Sequence, residues 1–136
     1  MLECMILGDS IAVGIGHYRP ECITEAEVGI TSKNYILEYG NGLRQAQTVI
    51  ISLGSNDHKD IDTEEGVLKL RRSIDADKVI WILPSAKIKP HQRAIILKIA
   101  EHNGDLVITI PLGSLSDDGI HPTGVGYRSL AERTKD

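Results

Sequence analysis

Apolar runs broken by glycine and proline set the rhythm of this chain. Leu2-Glu3-Cys4-Met5-Ile6-Leu7 is mostly apolar and stops at Gly8, which predicts a buried strand. Thr48-Val49-Ile50-Ile51-Ser52-Leu53 is richer still in β-branched residues and predicts another. Lys78–Leu83, stopped by Pro84, and Asp105–Ile110, stopped by Pro111, predict two more. Ile23–Val28 differs. Glu25 and Glu27 alternate there with Thr24, Ala26 and Val28, the pattern of a half-exposed edge strand, and Gly29 closes it.

Between the strands the period lengthens to that of a helix. Ile11–Ile15 begins one, weakened by Gly14 and Gly16. Ser32 is the expected N-cap of a helix that turns Tyr35, Ile36 and Tyr39 inward, and Gly40-Asn41-Gly42 breaks it. Asp62 and Glu65 have the spacing of a capping box, with Val67, Leu70 and Ile74 as the apolar stripe behind it. Pro90 fits the first turn of a helix bearing Ile95, Ile96 and Ile99, stopped by Gly104. Thr123 caps a last helix with Tyr127, Leu130 and Ala131. Strands and helices alternate five times, which predicts an α/β protein with a parallel sheet covered on both faces.

A chain of 136 residues reads as one domain, 1–136, large enough to bury a self-sufficient core. Hydrophobic residues are 41% and charged residues 25%, ordinary for a globular protein, and no run approaches the length of a membrane span. Met1-Leu2-Glu3-Cys4 lacks the basic start and apolar stretch of a signal peptide, so a cytoplasmic location is expected. Two cysteines make no disulfide framework; Cys4 in a strand and Cys22 in a loop read as reduced thiols.

Charge is divided unevenly. The net charge is −4, but residues 1–68 sum to −7 and residues 69–136 to +3. An acidic total argues against nucleic-acid binding, while the basic excess of the second half can still steer an anionic substrate locally.

The chemistry concentrates in Asp118-Gly119-Ile120-His121-Pro122, where an acid and a histidine sit three residues apart in a short loop. A carboxylate bonded to one ring nitrogen fixes the tautomer and leaves the other nitrogen as a base. The group it best serves is Ser10, in Gly8-Asp9-Ser10 directly after the first strand. Ligand sites in open parallel sheets lie at the carboxyl ends of the strands. Ser10 follows strand one, Gly29 strand two, Asn56 strand three, and Asp118 and His121 strand five, so one end of one sheet gathers all five.

In order, Gly8-Asp9-Ser10, Gly29, Gly54-Ser55-Asn56-Asp57 and Asp118-Gly119-Ile120-His121-Pro122 resemble the blocks of the SGNH/GDSL hydrolases, over nearly the whole chain. The resemblance implies a flavodoxin-like three-layer α/β/α fold with sheet order 2-1-3-4-5. It implies Ser10 as nucleophile, His121 as base and Asp118 as its partner, with an oxyanion hole built from the backbone N–H groups of Ser10 and Gly29 and the side-chain amide of Asn56. The implied activity is hydrolysis of a small acyl ester through an acyl-enzyme, with no cofactor and no metal.

Other residues carry quieter expectations. Asp9 braces the Ser10 turn, and Asp57 organises its loop. Asp117 competes with Asp118, and the three-residue spacing favours Asp118. His17, His58, His91 and His102 are expected at the surface, and Tyr35, Tyr39, Trp81 and Tyr127 in the core. The chain is shorter than typical members of the family, so small loops and an open, shallow site are expected, suited to an acetyl group on a carbohydrate or another exposed alcohol. Ser85, Lys87 and Lys89, with His91 and Arg93 beyond them, should border it, either as a solvated basic face or with Lys87 or Lys89 favouring an anionic substrate. Two other classes remain. A metal-dependent phosphoesterase would use Asp9, Asn56, Asp118 and His121 as ligands. A binding module would hold a sugar or small ligand without catalysis; Gly14-Ile15-Gly16 is no dinucleotide fingerprint, since Arg19 stands where the third glycine belongs.

Overall fold

A computed structural model describes residues 1–135. The chain runs β1 (Leu2–Gly8), α1 (Ser10–His17), β2 (Ile23–Ala26), α2 (Ser32–Tyr39), β3 (Arg44–Ser52), α3 (Thr63–Arg72), β4 (Ile74–Ile82), α4 (Pro90–Asn103), β5 (Leu106–Ile108) and α5 (Gly124–Arg133). The strands form one parallel sheet in the order β2-β1-β3-β4-β5. This is the three-layer, flavodoxin-like arrangement.

Successive side chains of a strand point to opposite faces, so each central strand supplies two cores. Met5 and Leu7 of β1, Val49 and Ile51 of β3, and Val79 and Trp81 of β4 pack with Tyr35 of α2, Val67 and Leu70 of α3 and Ile96 of α4. Cys4, Ile6, Ile50, Ile80 and Ile82 meet Ile11 and Ile15 of α1 and Leu130 of α5 on the other face. That is why β1, β3 and β4 read as nearly unbroken apolar runs. The edge strand β2 is exposed at Ile23 and Thr24 and half-buried at Glu25 and Ala26, so it is half-exposed as expected but shows no alternation, and it ends before Val28.

Two glycines are fixed by this packing. Gly8 has φ +137°, and a Cβ there would overlap the carbonyl oxygen of Ser52 in the paired strand β3. Gly14 was expected to weaken α1; instead its bare backbone seats the ring of Tyr127 from α5, which a Cβ would overlap.

The structure moves several boundaries. Ile74 begins β4 and does not extend the α3 stripe: Ser73 ends the helix, and Ile74-Asp75-Ala76-Asp77 alternates inward and outward along the sheet. β3 starts at Arg44, four residues before the apolar run, because the buried guanidinium of Arg44 donates to the carbonyls of Tyr39, Gly40 and Gly42 at the end of α2. β5 is confined to Leu106–Ile108; at its start Asp105 turns aside to bind Arg71 of α3 and the indole N–H of Trp81. Thr31, not Ser32, caps α2. Ser32 is fully buried and has another partner, described below.

Cys4 and Cys22 are joined by a disulfide, which overturns the expectation of two free thiols. Their sequence separation of 18 hid the pairing; β1 and the turn before β2 bring the Cα atoms within 4.8 Å. Disulfides persist in oxidising compartments, so the cysteines lend no support to a cytoplasmic location. No helix among the described residues is long and apolar enough to cross a membrane. A closed loop of this length restricts the unfolded chain, so reduction is expected to destabilise the protein by about 3 kcal/mol. Urea unfolding with and without reductant measures this, and Cys4→Ser/Cys22→Ser should reproduce the reduced curve.

Candidate active site

The site grows from the carboxyl ends of the strands. After β1 the chain turns at Asp9, whose Oδ1 accepts from the N–H of Ile11 at 3.0 Å and from the hydroxyl of Ser52 at 2.9 Å. Asp9 thereby caps α1 and ties its start to β3, as its bracing role requires. Ser10 becomes the first residue of α1. Its own N–H falls before the first intrahelical bond, and no acceptor among the described residues engages it.

Asp9 is wholly buried, and its Oδ2 has no hydrogen-bond partner among the described residues. Burial lifts its carboxyl to about 6, against the opposing effects of Ser52, the Ile11 and Ala12 N–H groups and His121. A raised carboxyl favours the folded state when protonated. Its stabilising contribution is present below the unfolded value near 3.8 and is lost as pH rises to about 6, an effect of about 3 kcal/mol. Asp9→Asn keeps the accepting oxygen and removes the titration. Urea unfolding from pH 4 to pH 7 should show the variant gaining on the wild type by about that amount.

The partner of Ser10 arrives from 111 residues away, where the Ser10 Oγ lies 2.7 Å from His121 Nε2. Asp118 Oδ2 lies 2.6 Å from His121 Nδ1. A carboxylate only accepts, so Nδ1 carries the proton and Nε2 is free to accept from the serine hydroxyl. The other oxygen, Asp118 Oδ1, accepts from the N–H groups of Ile120 at 2.8 Å and His121 at 2.9 Å. These bonds, that to His121 Nδ1 first, hold the Asp118 carboxyl well below the usual carboxylate range. Asp117 is exposed and takes no part in these bonds.

Ser116 was not singled out in the sequence. Its Oγ is 3.0 Å from Asp118 Oδ1 and 2.9 Å from the carbonyl of His121, and its N–H donates to that same carbonyl at 2.8 Å. With the bridge between Leu115 and Pro122, Ser116 closes the loop at its base. A serine two residues before an aspartate in a turn was the available signal.

Gly29 has φ +80°, the left-handed region that favours glycine. Open space lies where its Cβ would be, so the residue is there for its backbone angle and not to clear room. Asn56 donates from Nδ2 to the carbonyl of Ile30 at 3.0 Å, which ties the loop after β3 to the segment beside Gly29. An amide nitrogen carries two N–H groups, and this bond uses one of them.

Asp57 organises that loop from within. Fully buried, it accepts from the N–H of Ser32 at 2.8 Å and from the hydroxyls of Ser32 and Thr63, each at 2.6 Å. This is why Ser32 is no cap: it joins α2 to the start of α3 through a carboxylate. Lys89 also belongs to this frame, donating to the Asp57 carbonyl at 2.8 Å, with Gln92 at 3.3 Å. Ser85 Oγ accepts from the N–H groups of Lys87 and Ile88 and shapes its own loop. Of the three residues expected to meet substrate, only Lys87 stands exposed with no side-chain bond among the described residues. His17, His58, His91 and His102 are all exposed. Trp81 and Tyr35 are fully buried, while Tyr39 and Tyr127 are only partly so.

Among the described residues, no group of three or more His, Cys, Asp or Glu side chains is arranged to hold a metal ion. Asp9 is turned onto Ser52 and the start of α1, so the four ligands of the phosphoesterase reading are not presented as a set.

The arrangement can move a proton from a serine hydroxyl to a histidine whose other side is anchored by a carboxylate. It also leaves the N–H at the start of α1 facing no protein acceptor. No family model matches the sequence, and no curated protein does either. Solved structures do resemble it in fold. A GDSL-like lipase from Bacteroides thetaiotaomicron superposes with a TM-score of 0.70 at 20% identity, covering 96% of this chain and 84% of that one. The C-terminal catalytic domain of a peptidoglycan O-acetyltransferase from Streptococcus pneumoniae gives 0.58 at 15%, covering 96% and 88%. A carbohydrate acetylesterase family member from Sinorhizobium meliloti gives 0.57 at 14%, covering 96% and 94%.

Proposed function

We propose that this chain is a serine esterase of the SGNH/GDSL type, which cleaves a small acyl ester through an acyl-enzyme on Ser10. The observation that carries the reading is the chain of two short contacts, Ser10 Oγ to His121 Nε2 at 2.7 Å and His121 Nδ1 to Asp118 Oδ2 at 2.6 Å. Fold likeness to a lipase, an acetyltransferase domain and an acetylesterase supports ester chemistry.

His121 takes the proton of Ser10 as Oγ attacks the carbonyl carbon, and Asp118 stabilises the imidazolium that forms. The carbonyl oxygen becomes an oxyanion. Its donors are the N–H of Ser10, aided by the positive end of α1, the N–H of Gly29 and the remaining amide N–H of Asn56. His121 returns the proton to the leaving alcohol, whose departure leaves Ser10 acylated. Water, deprotonated by His121, then attacks the acyl carbon; the acid leaves and Ser10 regains its proton. The acyl group we assign is acetyl or of similar size, on a carbohydrate or another small alcohol.

Mass spectrometry after treatment with a small fluorophosphonate tests this reading. A single adduct on Ser10 is expected in the folded protein, and none after heat denaturation or in His121→Ala. No adduct, together with no hydrolysis of an activated acetate ester, overturns the serine mechanism. A preference for long acyl chains over acetate overturns only the acyl assignment.

A further inference from the structure

Beside the loop that carries His121 lies a groove of about 470 Å³, between the segment after β4 and the segment after β5. Its walls are apolar, built from Leu83, Pro84, Ile110, Leu112, Leu115 and Ile120. Ile120, which lines it, immediately precedes His121, so the groove shares a wall with the loop that carries the proposed base. The expected shallow surface is therefore a recess of ligand size on this side.

Among the described residues, the charges that line it are two cations, Lys87 and Arg93, and no carboxylate lines it. In a chain of net charge −4 this is a local reversal of sign. Arg93 is also incompletely bonded. Its Nη2 donates to the hydroxyl of Thr109 at 3.2 Å, while its buried Nη1 has no hydrogen-bond partner among the described residues. A guanidinium carries five donors and is always charged, so Arg93 brings a fixed positive charge with donors to spare to a largely apolar wall. Lys87 stands exposed at the same groove.

We propose that this groove binds the alcohol half of the substrate, and that this alcohol carries a carboxylate or comparable anionic group held by Arg93 and Lys87. The proposal rests on the esterase reading, in which a small acyl group leaves the groove to the other half of the ester. The apolar walls take the carbon skeleton, and the two cations fix the far end. The substrate class is then short acyl esters of hydroxy acids or of other acidic alcohols.

The test uses acetate esters of hydroxycarboxylic acids of increasing chain length, each against its uncharged primary amide. The wild type is expected to favour the acid over the amide in kcat/KM by about tenfold or more for the best-fitting length. That ratio should fall to about one in Arg93→Met, stay intermediate in Arg93→Lys, and shrink in Lys87→Ala. Equal or inverted ratios across the whole set, or a ratio unmoved by Arg93→Met, overturn the proposal. Calorimetric titration of the free hydroxy acids into Ser10→Ala gives an independent reading. Binding of the acid but not the amide, lost on adding Arg93→Met, supports the groove even where hydrolysis fails; no binding overturns it. Ser10 labelling with fluorophosphonate in the same protein reports separately on the serine mechanism.

Discussion

His121→Ala is expected to lower kcat on a short acetate ester by roughly a million-fold, with Ser10→Ala doing the same and the double variant no worse than either. The reason is that the two residues act as one unit. Ser10 Oγ is a weak nucleophile while it holds its proton, and Nε2 of His121, at 2.7 Å, is positioned to take it. Without the imidazole, the serine sits before the same carbonyl with nothing to deprotonate it. Without the serine, the imidazole has no proton to collect. What survives is the slower reaction helped by binding and by the oxyanion donors, which neither substitution touches. Steady-state kinetics on freshly purified variants measures the effect, with any residual rate abolished by fluorophosphonate assigned to contaminating wild type. Additive losses in the double variant would show two independent contributions and refute the coupled pair. His121 is partly exposed, at 36%, so its truncation should leave the folded state largely intact, which a urea melt checks.

Much of this was legible in the sequence because the informative signals are short in range. The buried strands announce themselves as apolar runs since both faces of a parallel sheet are covered, and Gly8, Gly54, Pro84, Gly104 and Pro111 mark where the chain turns. The Asp118–His121 pair is local, closed by bonds that span two to five residues, and its spacing is enough to predict it. The end of the sheet at which Ser10 would meet it follows from the alternation of strands and helices, which makes the strands parallel and puts both residues after carboxyl ends. Interactions that depend on which segments become neighbours stayed hidden. Ser32 has the composition of a cap, yet Asp57, 25 residues away, claims both its N–H and its hydroxyl. Arg44 lies outside the apolar run, and only the fold surrounds its guanidinium with carbonyls at the end of α2. Cys4 and Cys22 look unrelated until β1 and the turn before β2 lie side by side. Lys89 looks like a substrate residue, and only the fold reveals that its ammonium belongs to the Asp57 carbonyl.

Asp118→Asn is the sharper probe of how the base is held, and a loss of about ten-thousand-fold in kcat is expected with the geometry nearly unchanged. Asp118 makes two kinds of bond. Oδ1 receives the N–H groups of Ile120 and His121, and Oδ2 faces His121 Nδ1. Asparagine has a single accepting oxygen. Two backbone donors will hold that oxygen on the Oδ1 side, which turns the amide N–H groups toward the imidazole. Nδ1 must then accept, so the proton moves to Nε2, and the nitrogen facing Ser10 becomes a donor where a base is needed. Asp118→Ala removes the carboxylate without imposing that tautomer. It should therefore be no worse than Asp118→Asn, although it loses more of the loop's hydrogen bonds. Acid does not imitate either variant in the ordinary range, because the bonds from His121 and Ile120 hold the Asp118 carboxyl far below its usual value. The pH profile of the wild type should thus show no loss attributable to Asp118 above pH 4. An Asp118→Asn enzyme that kept most of its activity would mean that the His121 ring is oriented by something else, with Ser116 and the Leu115–Pro122 bridge the groups to examine next.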